Sequence, residues 1–241
     1  MQSIIIFIFL LFVDRLNGNN SSNAGSIKKI SRTKSPSIFD DSGRARDLHL
    51  RQTFRDLKIR RHAKVADVGA GGGWLTVRLA SHVGSRGKVY AVDIFPGFVS
   101  HIEETIKVHQ LNNVVPILGS AIDPKLPENT FDAVMILIAY HEFTKPITML
   151  TKIRRAMKIG GRLGVLERDT DQMRVKAREA YETTGYIADR VNETLSDHFR
   201  IKEHVMALDI IIREVTSVGF QFLFSRELAY DYYSAIFVNS Q

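Results

Sequence analysis

The run Asp67-Val68-Gly69-Ala70-Gly71-Gly72-Gly73-Trp74 is entered from the apolar Ala63-Lys64-Val65-Ala66 and left by Leu75-Thr76-Val77-Arg78-Leu79-Ala80. That order predicts a strand, a glycine turn and a helix. Four glycines in five positions let the backbone take positive φ, and let a ligand approach main-chain N–H groups where a Cβ would collide. Those N–H groups open a helix, whose N-terminus favours an anionic or strongly polar ligand group.

A glycine turn alone is a weak signal, and its partner lies in Lys88-Val89-Tyr90-Ala91-Val92-Asp93, an apolar strand ending in a carboxylate 20 residues beyond Gly73. An acid at that place can accept both hydroxyls of a ribose. The dinucleotide pattern G-x-G-x-x-G/A, started at Gly69, requires Gly or Ala at position 74, where this chain has Trp74. The spacing D-x-G-x-G-x-G from Asp67 to Gly73 instead resembles motif I of class I S-adenosylmethionine-dependent methyltransferases.

The rest of the chain keeps the same rhythm. Strands are expected over 64–68, 88–93, 114–118, 131–137 and 162–167, separated by helices near 74–83, 96–109 and 146–157, with an earlier helix over 43–57. Alternation of this kind implies right-handed crossovers and a parallel sheet covered on both faces. A helix near 202–218 then leads into two apolar runs, 220–228 and 232–239, with only a short break. Strands joined so closely cannot be parallel neighbours, so one of them runs antiparallel. The methyltransferase resemblance implies the same: an α/β, Rossmann-like seven-stranded sheet of order 3-2-1-4-5-7-6, one strand antiparallel, helices on both faces.

In a doubly wound sheet the ligand lies outside the carboxyl ends of the strands, beside the first. Asp67, Gly69, Asp93, Gly119, Ser120 and Tyr140 all fall at such ends. The resemblance implies that Asp67 and the loop of Gly69, Ala70, Gly71 and Gly73 face the methionine part of S-adenosylmethionine. It further implies Asp93 and Ile94 at the ribose, Ser120 and Ala121 at adenine, and Tyr140 close by. Many family members carry an acid where Ser120 stands, and Asp123 is the available substitute. The fourth strand ends in Ile138-Ala139-Tyr140-His141-Glu142-Phe143, a "YHEF" run beside the expected methyl group. Methyl transfer from a sulfonium is an in-line displacement that depends heavily on orientation, and it needs a general base only if the acceptor arrives protonated. His141 has a suitable pKa for that task, with Glu142 to orient it or act itself; packing or helix capping is the plainer role for His141. The run Arg154-Arg155-Ala156-Met157-Lys158-Ile159-Gly160-Gly161-Arg162-Leu163 resembles the family's "LKPGG" turn, with Ile159 in place of proline and the glycines reversing the chain. The charged stretch 168–201 is where such enzymes cover the acceptor pocket, which makes Tyr181, Tyr186, His198 and Arg200 candidate acceptor contacts. No His/Asp/Glu spacing, including His198, Arg200 and Glu203, makes a metal ligand set.

Charge and the N-terminus bound the remaining classes. At 241 residues the chain suits one domain with an extension, and it has no cysteine, so thiolate metal sites and a cysteine nucleophile are excluded. The net charge of +7 is uneven: residues 28–64 hold twelve Lys/Arg against four Asp, whereas the rest from Val65 holds 20 basic and 21 acidic residues. Such a segment can bind nucleic acid or anionic lipid, although a solvated basic face is the simpler reading. Residues 4–13 form an apolar run closed by Asp14 and Arg15, too short for a spanning helix. With Ser22-Asn23-Ala24 after it, the segment 1–24 is expected to be a signal peptide or membrane anchor, despite lacking the usual positive charge before the run. The sequons at Asn19, Asn20 and Asn192 are compatible with secretion. An overextended start or a buried strand is the alternative, and the chain is then cytoplasmic. Residues 25–42 read as a linker and 43–241 as the methyltransferase domain. The expected function is methyl transfer from S-adenosylmethionine to a small-molecule acceptor. The alternatives are a binding protein that holds the cofactor without turnover, and an RNA methyltransferase using the basic segment.

Overall fold

The computed structural model describes residues 42–169, 206–229 and 231–240. The expected signal or anchor, the linker up to residue 41, and Tyr181, Tyr186, His198, Arg200 and Glu203 lie outside the described residues. In chain order the elements are α1 (Ser42–Asp47), α2 (Leu50–Asp56), β1 (Lys64–Val68), α3 (Trp74–Val83), β2 (Lys88–Asp93), α4 (Pro96–Val108) and β3 (Val114–Leu118). They continue with β4 (Phe131–Leu137), a 3-10 turn (Tyr140–Glu142), α5 (Pro146–Ala156), β5 (Met157–Arg168), α6 (Leu208–Ser217), β6 (Phe220–Glu227) and β7 (Tyr232–Asn239).

All seven strands form one sheet of order β3-β2-β1-β4-β5-β7-β6, and β7 alone runs antiparallel to its neighbours β5 and β6. This is the expected topology. Its centre is β4, whose side chains alternate between two cores because successive residues of a strand point to opposite faces. Val134 and Ile136 join Val68, Leu150, Ile153, Ile211, Val215 and Phe237 on one side. Ala133, Met135 and Leu137 join Leu48, Leu57, Val65, Leu75, Leu79 and Ile236 on the other. A strand buried on both faces has to be apolar throughout, which is why 133–139 contains no charge. Pro96 and Pro146 stand at the first turns of α4 and α5, where the missing N–H costs nothing.

Three elements differ from the expectation. The helix expected over 43–57 is two helices, broken at His49, which takes φ 45° and donates its N–H to Arg46 O. In a continuous helix positions 48 and 50 lie about 200° apart; the break lets Leu48 and Leu50 both bury in the same core. The strand expected from residue 162 begins at Met157, which pairs with Phe131. Chain reversal is complete at Met157, and the two glycines form a bulge inside β5 rather than the turn before it. Gly160 takes φ 79°, and a Cβ on Gly161 would lie 3.0 Å from Phe131 O. The helix expected from residue 202 starts, within the described residues, at Leu208, because Ala207 is extended (ψ 135°) and Asp169 accepts the Leu208 N–H at 3.3 Å.

Candidate active site

The loop after β1 is built by backbone bonds to the neighbouring strand. Gly69 and Ala70 both donate to Val92 O at 2.9 Å, and Gly73 donates to Ala70 O. Gly69, Gly71 and Gly73 have φ of 79°, 51° and 82°, the left-handed region that favours glycine. Gly69 is required on a second ground: a Cβ there would sit 2.3 Å from the Cβ of Ala139, just after β4. Gly71 is different, since a Cβ there would meet nothing within 4 Å. Its neighbourhood is open space at the start of α3.

Asp93 ties this loop to the end of β2. Its Oδ2 accepts the Gly71 N–H at 2.8 Å and its Oδ1 accepts the Phe95 N–H at 3.0 Å. Burial raises its pKa, and the N–H groups of Phe95, Gly71 and Ile94 pull it back. Each oxygen keeps a further lone pair for a ligand hydroxyl. Asp67, at the end of β1, lies beneath the loop and accepts the Thr76 hydroxyl at 2.6 Å. Burial pushes its carboxyl up to about 7, the Thr76 hydrogen bonds lower it, and the charge of Asp93 raises it again.

Beyond Asp93 the ends of β2 and β3 expose apolar side chains, Ile94 (43%), Leu118 (42%) and Ile122 (50%). Gly119 donates to Asp93 O, which holds the end of β3 against the end of β2. Ser120 is occupied locally: its hydroxyl accepts the Asp123 N–H at 3.1 Å, and its own N–H donates to Asp123 O. The carboxylate of Asp123, the expected substitute, accepts the Lys125 N–H and lies 3.6 Å from Lys152 Nζ. Ala121 belongs to the same turn.

The 3-10 turn after β4 separates its three polar side chains. Tyr140 is fully buried in the core, and its hydroxyl donates to Glu214 Oε2 on α6. His141 is 1% exposed, with Nδ1 at 3.1 Å from both oxygens of Glu167. Its Nε2 lies 3.8 Å from Glu142 Oε1, and the Glu142 side chain is 38% exposed. Burial raises the Glu142 pKa, His141 lowers it, and the charges of Asp93 and Glu167 raise it further. Asp93 therefore acts electrostatically on both Asp67 and Glu142, from the next strand and from across the first one. Glu167 and Glu214 escaped the sequence reading. Glu167 closes an expected strand and Glu214 lies in an expected helix, and only the sheet order and the α6 packing show what they face.

The charges of Asp93 and Glu142 act on one another beside the loop, a field that disfavours a pyrophosphate and suits a ligand carrying a sulfonium and an ammonium. The start of α3 suits that ligand's carboxylate, and Asp93 suits its ribose. Fold and site thus define a class I S-adenosylmethionine-dependent methyltransferase. The chain belongs to the ubiE/COQ5 methyltransferase family, whose sequence profile matches residues 44–200. It is 33% identical over 115 residues to a demethylmenaquinone methyltransferase of Geobacillus sp. (strain WCH70), covering 48% of this chain and 49% of that one. It is 32% identical over 134 residues to an uncharacterized methyltransferase of Mycobacterium bovis, covering 55% and 51%. The chain thus spans about half the length of the curated relatives it matches. A crystal structure of a SAM-dependent methyltransferase from Aquifex aeolicus superposes with a TM-score of 0.64 over 82% of this chain and 93% of that one, at 20% identity. At that identity the likeness shows the fold.

Proposed function

We propose that the chain transfers the methyl group of S-adenosylmethionine to a small-molecule acceptor that arrives protonated, with a hydroquinone-type ring as the first class to test. The observation that carries this reading is the grip of Asp93 on Gly71, which fixes a ribose-accepting carboxylate and an open glycine loop as one unit. Asp67 and the loop from Gly69 to Gly73 hold the methionine end. Asp93 holds the ribose, and Ile94, Leu118 and Ile122 offer the adenine ring an apolar seat beside Ser120 and Ala121. When bound, S-adenosylmethionine supplies an electrophilic methyl group on a cationic sulfur.

Glu142 is the group that meets the acceptor, because its side chain is exposed where His141 is enclosed. A carboxyl raised by burial is a better base near neutral pH than an ordinary one, and a perturbed carboxyl among charged neighbours is typical of functional positions. Removing a proton from a ring hydroxyl pushes electron density onto the adjacent ring carbon or leaves a nucleophilic oxygen. The relatives named as demethylmenaquinone methyltransferases suggest the ring-carbon case.

The test incubates the full chain with S-adenosylmethionine and reduced demethylmenaquinone, alongside a panel of phenols, amines and an RNA, and reads products by mass spectrometry. A methylated hydroquinone, lost in Glu142→Gln even at saturating S-adenosylmethionine, is the expected result. Binding of S-adenosylmethionine with no S-adenosylhomocysteine formed from any acceptor would overturn the enzymatic reading, and methylated RNA alone would overturn the acceptor class.

A further inference from the structure

The amino ends of β1 and β2 lie at the opposite edge of the sheet from Asp67, Asp93 and Glu142, and they carry the other sign of charge. Lys64 opens β1, Lys88 opens β2, and the parallel register pairs the two, so like charges stand on backbones about 4.8 Å apart. The loops before them bring three more cations to the same edge. His62 donates its N–H to Val83 O at 2.8 Å and Lys88 donates to Ala63 O at 3.0 Å, which lays the loop before β1 against the turn before β2. Arg60 and Arg61 stand in the first and Arg86 in the second, and a Cβ on Gly84 would come within 2.6 Å of the Arg61 guanidinium. All five cations are exposed. Among the described residues none of them makes an ion pair. Asp132 reaches this edge but is already taken: one oxygen accepts the Lys64 backbone N–H and the other the Lys158 ammonium.

We propose that this edge docks on an anionic lipid surface, with Arg60, Arg61, Lys64, Arg86 and Lys88 at the headgroups. Like charges side by side on neighbouring strands repel, and a plane of lipid phosphates relieves that repulsion at both positions together. Residues 58–64 and 84–88 contain no Phe, Tyr or Trp, so the edge offers no ring for the stacking on which single-stranded nucleic acid binding relies. In sequence order, the apolar run 4–13 and then Lys28, Lys29, Arg32 and Lys34 precede this edge. A single weak apolar signal gives only reversible membrane attachment, and a basic patch is the kind of second signal that makes it stable. Each Lys or Arg close to anionic headgroups contributes about fivefold in affinity. The donor site stays out of this contact. β1 is five residues long, which puts roughly 16 Å between the two edges, about twice the 8 Å Debye length at physiological salt. Docking therefore leaves the field at Asp93 and Glu142 unchanged.

The test sediments the full chain with vesicles of phosphatidylcholine and phosphatidylglycerol in equal parts, and with vesicles of phosphatidylcholine alone, over a range of salt. Binding to the mixed vesicles only, weakening as salt rises, is the expected result. The double variant Lys64→Gln with Lys88→Gln is expected to lose about twenty- to thirtyfold in affinity for the mixed vesicles. Lys64→Arg with Lys88→Arg keeps the charge and is expected to keep the binding. Urea unfolding is expected to show the glutamine variant at least as stable as the wild type, because a like-charge pair has been removed. Calorimetry is expected to give all three proteins the same affinity for S-adenosylmethionine. Equal binding to both kinds of vesicle, or unchanged binding in the glutamine variant, overturns the proposal, since the apolar run or the upstream lysines then carry the attachment. A single-stranded RNA oligonucleotide that outcompetes the mixed vesicles, and is itself released by the same two substitutions, overturns it in favour of a nucleic-acid surface. Binding to neither vesicle overturns it too, and leaves a solvated basic face.

Discussion

Asp67 ties the stability of the protein to pH. Its carboxyl, pushed up to about 7 by burial and by the charge of Asp93, ionises in the unfolded chain at its ordinary 3.8. Between those values the folded state keeps a proton that the unfolded chain has released. Its contribution therefore falls as pH rises from about 4 to about 7 and is flat above, for a total on the order of 4 kcal/mol. Asp67→Asn abolishes that titration while still accepting the Thr76 hydroxyl. Urea unfolding is expected to show the variant gaining on the wild type across that window and remaining more stable at pH 8; parallel curves would mean that Asp67 is ionised throughout. The loop glycines separate in the same assay. Gly71→Ala is expected to cost only the left-handed backbone penalty, about 1–2 kcal/mol, because its Cβ meets open space. Gly69→Ala adds the collision with Ala139 to a similar penalty and is expected to cost several times as much. Equal losses would remove the distinction between a structural and a ligand-facing glycine. The pairing of Asp93 with the loop was legible because its spacing is set by one βα unit. The pairing of His141 with Glu167 was not, because contacts between parallel neighbours depend on the order of the strands.

At the scale of elements, the legible part is the βα alternation, since β1, β2, β3 and α3 end where apolar runs meet glycine or charge. What escaped was decided by tertiary contact. Two helices replace one before β1 because Leu48, Leu50, Phe54 and Leu57 are all drawn into one core. Leu57 lies directly over β5, where a Cβ at Gly164 would come within 2.8 Å of it. Leu57→Ala is accordingly expected to cost about 2–5 kcal/mol in urea unfolding, and a loss under 1 kcal/mol would mean that α2 is not docked as described. The ends of β2 and β1 are joined by Asp93 in the same way. Asp93→Asn replaces a carboxylate that receives two backbone N–H groups with an amide that accepts through one oxygen only. Calorimetry is expected to show at least a tenfold loss of S-adenosylmethionine affinity with the fold retained. Unchanged affinity would move the ribose elsewhere.

Over the whole molecule, the proposed site draws on the ends of four adjacent strands. Asp67 comes from β1, Asp93 from β2, Leu118 from β3, and Glu142 follows β4. No one of these segments closes the site alone, so a ligand seated there stabilises the sheet as a unit. A ligand that binds only the folded state adds RT ln(1 + [L]/Kd), about 2.7 kcal/mol at a hundred times Kd. For a chain of this size that corresponds to a rise in Tm of roughly 5–11 °C. S-adenosylmethionine and S-adenosylhomocysteine are both expected to produce such a shift, and Asp93→Asn to reduce it. NAD is expected to produce none, since the charges of Asp93 and Glu142 disfavour a pyrophosphate and favour a cationic sulfur. The carboxylates also set a sign for the two sulfur compounds. The sulfonium carries a charge that the thioether lacks, so S-adenosylmethionine is expected to bind the tighter and to lose more affinity than S-adenosylhomocysteine when Glu142→Gln removes one charge. Equal losses for the two would show that Glu142 does not sense the sulfur, and the acceptor would then approach from another side of the turn.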